Sequence, residues 1–362
     1  MKHREIIVIL LLIFILFESC IQTKSDFDII AYADKKIDFA NIVDTLSYKF
    51  IPLETTDLTI IGDIEKVEVS DSIIFILDSS IKMVYKFDFE GKYIGRIGEK
   101  GRGPGEYMEA SNFIINHKDK QIILSEKSSG NILFYDFNGI FIRSCHIDTN
   151  PFAYLPNREE IVIFSLPLLT SEKYELRRFK GCSDNLIGGY IPRPNYKEKE
   201  AYMSTKKYFL QHEDDYFFIP LYTDDLYRLN DDGIELIYEF GFQNNMFDYD
   251  NAELTTDFYK SKKLGKIDNF YMNNEGSYMF KMMYGNDSQF DVYGNIHAGT
   301  FEAGAKLNTD VPISVLFGMG AIGVYNEYFI NSISFAHYFP DYFPEATEDN
   351  NPILVFYKIK VL

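Results

Sequence analysis

The sequence predicts an all-β fold, a six-bladed β-propeller made of repeated four-stranded sheets. The first observation is a hairpin pattern at Val84–Ile97, where β-branched and aromatic residues flank the turn Glu90-Gly91. The second is a copy of this pattern at Ile132–Arg143, whose turn glycine, Gly139, lies 48 residues after Gly91. The third is the body length of roughly 317 residues, which accommodates six repeats of about 50 residues each.

The first twenty residues are predicted to be a signal peptide that lies outside the fold. A short basic start, Lys2 to Arg4, precedes twelve apolar residues at Ile6–Phe17. This run is too short to span a bilayer comfortably but suits a signal peptide. Cys20 follows in a segment that resembles the lipobox of bacterial lipoproteins, so we expect Cys20 to be lipidated. A plain secretory signal or an uncleaved anchor is the alternative.

Residues 21–44 are predicted to form a polar tether, and residues 45–362 the propeller. The formal charge is −18 with no basic cluster, which excludes nucleic acid as a partner. We expect membrane contact through the lipid anchor only, with the protein on the outer membrane, facing the periplasm or the cell surface. No motif indicates a cofactor.

Two complete blades can be assigned strand by strand, because short apolar or alternating runs are bounded by turn residues. The predicted strands of the first blade are Ile60–Val69, Ser72–Asp78, Val84–Phe89 and Lys92–Ile97. Those of the second blade are Ser111–Asn116, Gln121–Glu126, Asn131–Phe137 and Ile140–Ile147.

Later repeats are less regular, which indicates loop insertions between blades. We place the third, fourth and fifth blades at Tyr154–Cys182, Lys207–Phe242 and Lys266–Ala298, and the start of the sixth at Val315–Phe335. A capping-box pattern predicts a helix within Phe247–Lys263.

The two ends of the body are predicted to close the ring. Thr45–Leu53 and Ile353–Leu362 each lack a hairpin partner, and an unpaired strand leaves its backbone polar groups exposed. Pairing them in one blade removes both edges.

The glycine-rich segment Gly101–Tyr107 is the sharpest local feature. Its backbone N–H groups could form an anion-binding nest beside Arg102. No GK[ST] motif or helix follows, so it is not a P-loop. The alternative is a crossing loop between blades, and in either case we expect Arg102, Glu106 and Tyr107 at the channel mouth as candidate ligand-binding residues.

Other candidate residues form no catalytic or metal pattern. The histidines are scattered without HxH or HxxxH spacing, and the run His212–Asp215 is interpreted as a solvated turn. Asn112, Asp268 and Asn269 could face a channel Ca²⁺, but no motif selects them. We therefore assign neither catalytic residues nor a metal. Cys145 and Cys182 could pair, but equivalent positions of successive repeats usually lie too far apart, so we favour two separate thiols.

The aromatic and acidic stretch His337–Asp349 interrupts the last blade and is predicted to be a functional loop. Its Tyr338 and Tyr342 could contribute to an aromatic binding surface, although tyrosines also serve core packing.

The chain resembles the NHL-like, six-bladed β-propeller lipoproteins of anaerobic Gram-negative bacteria. The resemblance rests on the segments Ile51–Thr56, Tyr85–Tyr107, Asp224–Leu229 and Asp349–Lys360. It implies the fold and export, and it carries no activity or site residue across.

Three functions remain open. The favoured one is a binding or scaffold module for a glycan, a peptide or an envelope protein. The second is a lyase or hydrolase working in the channel, which needs acidic or histidine residues converging from several blades. The third is a structural subunit of an envelope complex, which would show as an exposed apolar patch on one face.

Overall fold

The computed structural model describes residues 32–126, 129–147, 151–164, 173–183, 185–192, 209–220, 223–242, 265–284, 288–308, 320–334 and 336–360. Within these ranges the chain forms six four-stranded sheets and two two-stranded sheets. The predicted all-β, six-bladed propeller is therefore confirmed. Cys20 and the predicted helix within Phe247–Lys263 lie outside the described residues.

A short segment precedes the first blade and packs on the body. It consists of β1 (Lys36–Asp38), the one-turn helix α1 (Phe39–Ile42) and β2 (Val43–Pro52). β1 pairs in parallel with residues 306–308, and Ile37 and Ile42 are buried. The predicted tether 21–44 therefore extends too far, because the chain already joins the body at Lys36.

The first two blades agree with their predicted strands to within a few residues. The first blade contains β3 (Ile64–Ser70), β4 (Ile73–Asp78), β5 (Val84–Phe87) and β6 (Tyr93–Ile97). The glycine-rich segment then forms a parallel pair of β7 (Glu99–Lys100) and β8 (Glu106–Tyr107). The second blade contains β9 (Ala110–Asn116), β10 (Gln121–Glu126), β11 (Asn131–Asp136) and β12 (Phe141–His146).

The third and fifth blades extend past their predicted ends, because each has a fourth, outer strand beyond them, whereas the fourth blade lies within its predicted range. The third contains β13 (Pro151–Leu155), β14 (Glu160–Phe164), β15 (Tyr174–Lys180) and β16 (Leu186–Pro192). The fourth contains β17 (Phe209–His212), β18 (Asp215–Phe218), β19 (Asp225–Asn230) and β20 (Gly233–Glu239). The fifth contains β21 (Gly265–Met272), β22 (Ser277–Tyr284), β23 (Ser288–Asn295) and β24 (Thr300–Gly304).

The sixth blade is built from both ends of the chain, as predicted. After β25 (Lys306–Asn308), it contains β26 (Gly323–Tyr325), β27 (Tyr328–Ile333) and β28 (Ile353–Ile359), with a 3₁₀ turn at Ala336–Tyr338. β2 pairs antiparallel with β28 as the outer strand of this sheet, with Phe50 opposite Val355. The ring is thus closed by pairing the amino-terminal and carboxyl-terminal strands.

The propeller has two faces, defined by the ends of its inner strands. The bottom face carries the turn between the first and second strands of each blade, as at Asp71-Ser72 and Glu213-Asp214. The top face carries the loops that leave the opposite ends, including 53–63, 98–109 and 336–352.

Each blade touches the next where its outer strand ends, near the hairpin turn of the following blade. Glu54 N–H donates to the Gly91 carbonyl at 2.8 Å, and a side chain at Gly139 would collide with the Arg96 carbonyl. At the next junction the structure places a disulfide between Cys145 on β12 and Cys182 after β15, with Cα atoms 5.3 Å apart. The expectation of two separate thiols is therefore wrong, since the two cysteines do not occupy equivalent positions of their blades.

The core lies between blades rather than in one central cluster. One apolar cluster joins the sixth, first and second blades, another joins the second, third and fourth, and a third joins the fourth, fifth and sixth. Large aromatic side chains such as Phe75, Phe134 and Phe280 fill these layers.

Candidate functional site

A cavity of about 810 Å³ lies at the bottom end of the channel. Its walls come from five blades, at the point where the first strand of each blade ends. Representative lining residues, in blade order, are Ser70, His117, His212, Asn273 and Asn326. The cavity extends outward between the fourth and fifth blades, where Tyr238 and His297 line it.

Tight first turns bring polar side chains to this cavity. Asp71 and Ser72 have φ values of 49° and 64°, which suits the two-residue hairpin turn between β3 and β4. Glu213 and Asn326 occupy the same turn in the fourth and sixth blades, with φ values of 50° and 52°. These conformations cost more for such residues than for glycine, so the turns are held by the packed strands that flank them.

The bottom ends of the blades are tied together by hydrogen bonds. Six contacts, one at each junction, complete the ring. From the first blade to the fourth, the contacts are Ser70 Oγ with His117 Nδ1 (3.0 Å), Lys118 with Asn157, and Tyr216 OH with the Tyr154 carbonyl (3.2 Å). From the fourth blade back to the first, they are His212 with the Met272 carbonyl, Asn274 N–H with the Asn326 carbonyl (3.1 Å), and Val67 N–H with the Ile322 carbonyl (3.0 Å). These bonds fix the positions of the residues around the cavity.

Gln211 crosses the channel between two blades that are not neighbours. Its side-chain oxygen accepts from the Ile115 backbone N–H at 3.1 Å, and its nitrogen donates to the Ile115 carbonyl. Because Gln211 is buried and satisfied on both sides, it forms part of the cavity floor and is not a free ligand-binding group.

His212 is fixed by a hydrogen bond to the neighbouring blade. Its Nε2 lies at hydrogen-bond distance from the Met272 carbonyl, so this nitrogen carries the proton. Burial lowers the pKa of His212, although the hydrogen bond to Met272 and the nearby Glu68 carboxylate oppose this shift. The ring also meets Phe217 edge-on, at 5.6 Å between centroids.

Carboxylates approach the cavity from the first and fourth blades. Glu68 pairs with Lys66 at 3.0 Å, and Asp215 lies 3.7 Å from Arg228. Asp214 lies on the exposed turn beside the cavity; partial desolvation raises the pKa of its carboxyl, and His117 opposes this rise. Acid and base groups of several blades therefore line one cavity.

The lining combines hydrogen-bonding groups with aromatic surfaces. Asn274 and Asn326 contribute exposed amides, and Tyr238 and Tyr325 contribute rings, whereas the buried Asn273 amide is already hydrogen-bonded to the backbone of Glu275, Ser277 and Glu327. A few polar groups with fixed positions beside aromatic side chains are typical of pockets that bind small polar molecules. The arrangement can hold a ligand of several sugar or amino-acid units.

The structure places the predicted mouth residues away from this cavity. Tyr107 is fully buried between the outer strands of the first two blades, and its hydroxyl donates to the Ile97 carbonyl at 2.7 Å. Burial raises the pKa of Tyr107 strongly. The expected position at the channel mouth is therefore wrong for Tyr107, because the loop crosses near the rim and not near the axis.

Arg102 and Glu106 are exposed on the same loop, at the top face. The Glu106 carboxylate accepts from the Gly103 N–H at 2.8 Å, so an anion from the chain itself already occupies this part of the loop. Neither residue lines the bottom cavity. A ligand-binding role for these two residues stays a prediction.

The residues considered for a channel metal lie on the inner strands β9 and β21 and do not line the bottom cavity. Asn112 lies 3.5 Å from the Lys66 ammonium group, Asp268 is buried, and Asn269 has a φ of 54°. In the part of the chain that the structure describes, no group of three or more His, Cys, Asp or Glu residues could hold a metal ion.

The sequence analysis did not identify the residues that line the bottom cavity. His212 belongs to the run interpreted as a solvated turn; Glu213 and Asp214 are indeed exposed there, but His212 is largely buried. The available signal was position: His117, His212, Asn273 and Asn326 each end or follow the first strand of a blade. Ends of equivalent strands meet around the axis of a propeller.

Comparisons with known proteins agree with the fold. Residues 25–358 match the family model of DUF4934, a domain of unknown function. A proposed exported protein of Bacteroides fragilis NCTC 9343 superposes with a TM-score of 0.68 at 16% identity, over 90% of this chain and 98% of that one. A DUF4221 member from Bacteroides vulgatus gives 0.55 at 12% identity, over 89% and 99%. The search of curated proteins found no match. Among the described residues, no helix has the length and apolar character to cross a membrane.

Proposed function

The chain belongs to the DUF4934 family of domains of unknown function, and we propose that it is an exported lipoprotein whose propeller binds a glycan in the bottom cavity. The observation that carries this proposal is the cavity of about 810 Å³ with polar and aromatic walls from five blades. Hydrogen-bonding amides and carboxylates suit sugar hydroxyls, and the rings of Tyr238 and Tyr325 offer flat surfaces for sugar rings. A short peptide is the alternative ligand.

Export and anchoring are part of the same proposal. The apolar run before Cys20 and the similarity to a proposed exported protein support secretion, and Cys20 supports attachment to the outer membrane. Replacing Cys20 by Ala and following detergent partitioning tests the anchor. We expect the variant to leave the membrane fraction, and a variant that stays there unchanged contradicts lipidation.

A binding screen tests the function. All six blades lie within Val43–Ile359, so the chain from residue 25 onward is used, with cell-wall and dietary glycans and short peptides as probes. We expect saturable binding of at least one glycan class, measured by calorimetry. If only peptides bind, the ligand is a peptide and not a glycan. If nothing binds, the proposal is contradicted.

A channel-centred lyase or hydrolase is the second candidate. It is favoured by the convergence of His117, His212 and His297 with Glu68 and Asp215 on one cavity, since acid–base catalysis needs such groups within reach of one substrate. Incubating any bound ligand with the protein and analysing it by mass spectrometry distinguishes the two. Cleavage that disappears in His117→Ala would support the enzyme, and an unchanged ligand would support binding alone.

A further inference from the structure

A second surface lies on the top face, at the junction of the closing blade and the first blade. It consists of two segments, 53–63 and 336–352, which we call the acidic platform. It lies at the opposite end of the inner strands from the bottom cavity, so its role is independent of the proposed ligand site.

The platform is held together by buried hydrogen bonds. Asn351 is the hub: its backbone N–H donates to Thr55 Oγ1 at 2.7 Å, and its side chain bonds the backbone of Glu54, Thr59 and Ile61. Phe343 packs edge-on against Phe50 of β2, at 5.3 Å between centroids. The two segments therefore form one structured surface.

Four large apolar or aromatic side chains of the platform face solvent. Leu58 is 66% exposed, Ile60 59%, Tyr338 69% and Tyr342 48%. Exposed apolar side chains that share one surface with polar residues are typical of interaction sites on soluble proteins. Aromatic residues such as tyrosine are also enriched in protein–protein interfaces.

The charge of the platform is of one sign. Its seven carboxylates are Glu54, Asp57, Asp63, Asp341, Glu345, Glu348 and Asp349, and it contains no lysine or arginine. Glu54 and Asp63 accept hydrogen bonds from Tyr93 N–H and Ser79 Oγ. The five others are exposed, which leaves a strongly acidic border around the apolar side chains.

We propose that the acidic platform binds a basic segment of a partner protein. Lysine and arginine side chains would meet the carboxylates, and the apolar parts of the segment would pack on Tyr338, Tyr342, Leu58 and Ile60. Phosphate-bearing partners, whether anionic lipid surfaces or nucleic acids, carry the wrong charge for this surface.

Photo-crosslinking in cells that make the protein tests the proposal. Tyr342 is replaced by p-benzoylphenylalanine, and the adduct is digested and sequenced by mass spectrometry. The control carries the same residue in place of Ile140, an exposed side chain beside β12 of the second blade. We expect a protein adduct at position 342 whose contacted segment has an excess of lysine and arginine. We expect no such adduct at position 140.

Neutralising the carboxylates separates the charge argument from apolar contact. The test variant carries Asp341→Asn, Glu345→Gln, Glu348→Gln and Asp349→Asn. The matched control carries Glu109→Gln, Asp232→Asn, Glu235→Gln and Glu239→Gln, four exposed carboxylates elsewhere on the ring. At equal amounts of folded protein, the adduct should fall about tenfold in the test variant only. An absent adduct, an acidic or neutral contacted segment, or equal loss in both variants would overturn the proposal.

Discussion

At the scale of single residues, His212 shows how burial sets the chemistry of the cavity wall. Burial lowers its pKa in the folded protein, whereas in the unfolded chain it titrates near its ordinary value of about 6.5. At acidic pH the unfolded state therefore binds a proton at this side chain more readily than the folded state does. This group makes stability fall as the pH drops below about 6.5, and it has no effect above that value, where both states are neutral.

We predict that His212→Gln makes stability less dependent on pH. Denaturant unfolding at pH 7.5 and 5.5 measures the change for the wild type, for His212→Gln and for His146→Gln, which alters an exposed imidazole on β12. The loss of stability on acidification should be smaller in His212→Gln and unchanged in His146→Gln. Equal losses in all three proteins would contradict the role of burial.

At the scale of elements, the sequence predicted hairpins well and contacts between blades poorly. Residues 121–126 and 131–136 form neighbouring strands as expected, because alternation and turn glycines act over a few residues. The positions of Tyr107, Cys145 and His212 depend on how one twisted sheet packs against the next. No local pattern encodes that geometry, so the disulfide and the burial of Tyr107 came only from the structure, whereas the strand ends that surround the cavity could have been located from the repeat.

The disulfide links the second and third blades, and we expect it to stabilise the folded protein. It closes a loop with a sequence separation of 37, for which the chain-entropy model gives about 4 kcal/mol of stabilisation. We predict that Cys145→Ser lowers the melting temperature by several degrees under oxidising conditions. Wild-type protein kept in reductant should melt like the variant, and a variant that melts like the oxidised wild type would show that the bond contributes nothing.

At the scale of the whole molecule, the fold is a ring whose stability depends on its closing blade. β28 contributes the buried side chains Leu354, Phe356 and Tyr357, each worth about 1.5–3 kcal/mol on burial. Its loss also leaves β2 and β27 without a partner between them. Because folded proteins are stable by only about 5–15 kcal/mol, one strand decides whether the ring stays closed.

Deletion from Pro352 onward should therefore prevent folding or lower the melting temperature sharply. The matched control deletes only residues 361–362, which follow the last strand. Circular dichroism during heating measures both proteins. A long deletion that melts like the control would show that the ring closes in another way.

The central functional claim is that the bottom cavity binds the glycan. The most direct measurement is the calorimetric affinity of the glycan found in the screen for His297→Ala, in the cavity wall, and for His146→Ala, outside it. Loss of a hydrogen-bonding side chain in a binding site costs about 1–3 kcal/mol, so we predict a fall in affinity of about tenfold for His297→Ala and less than twofold for His146→Ala. Equal affinities, or a larger loss in His146→Ala, would contradict the account.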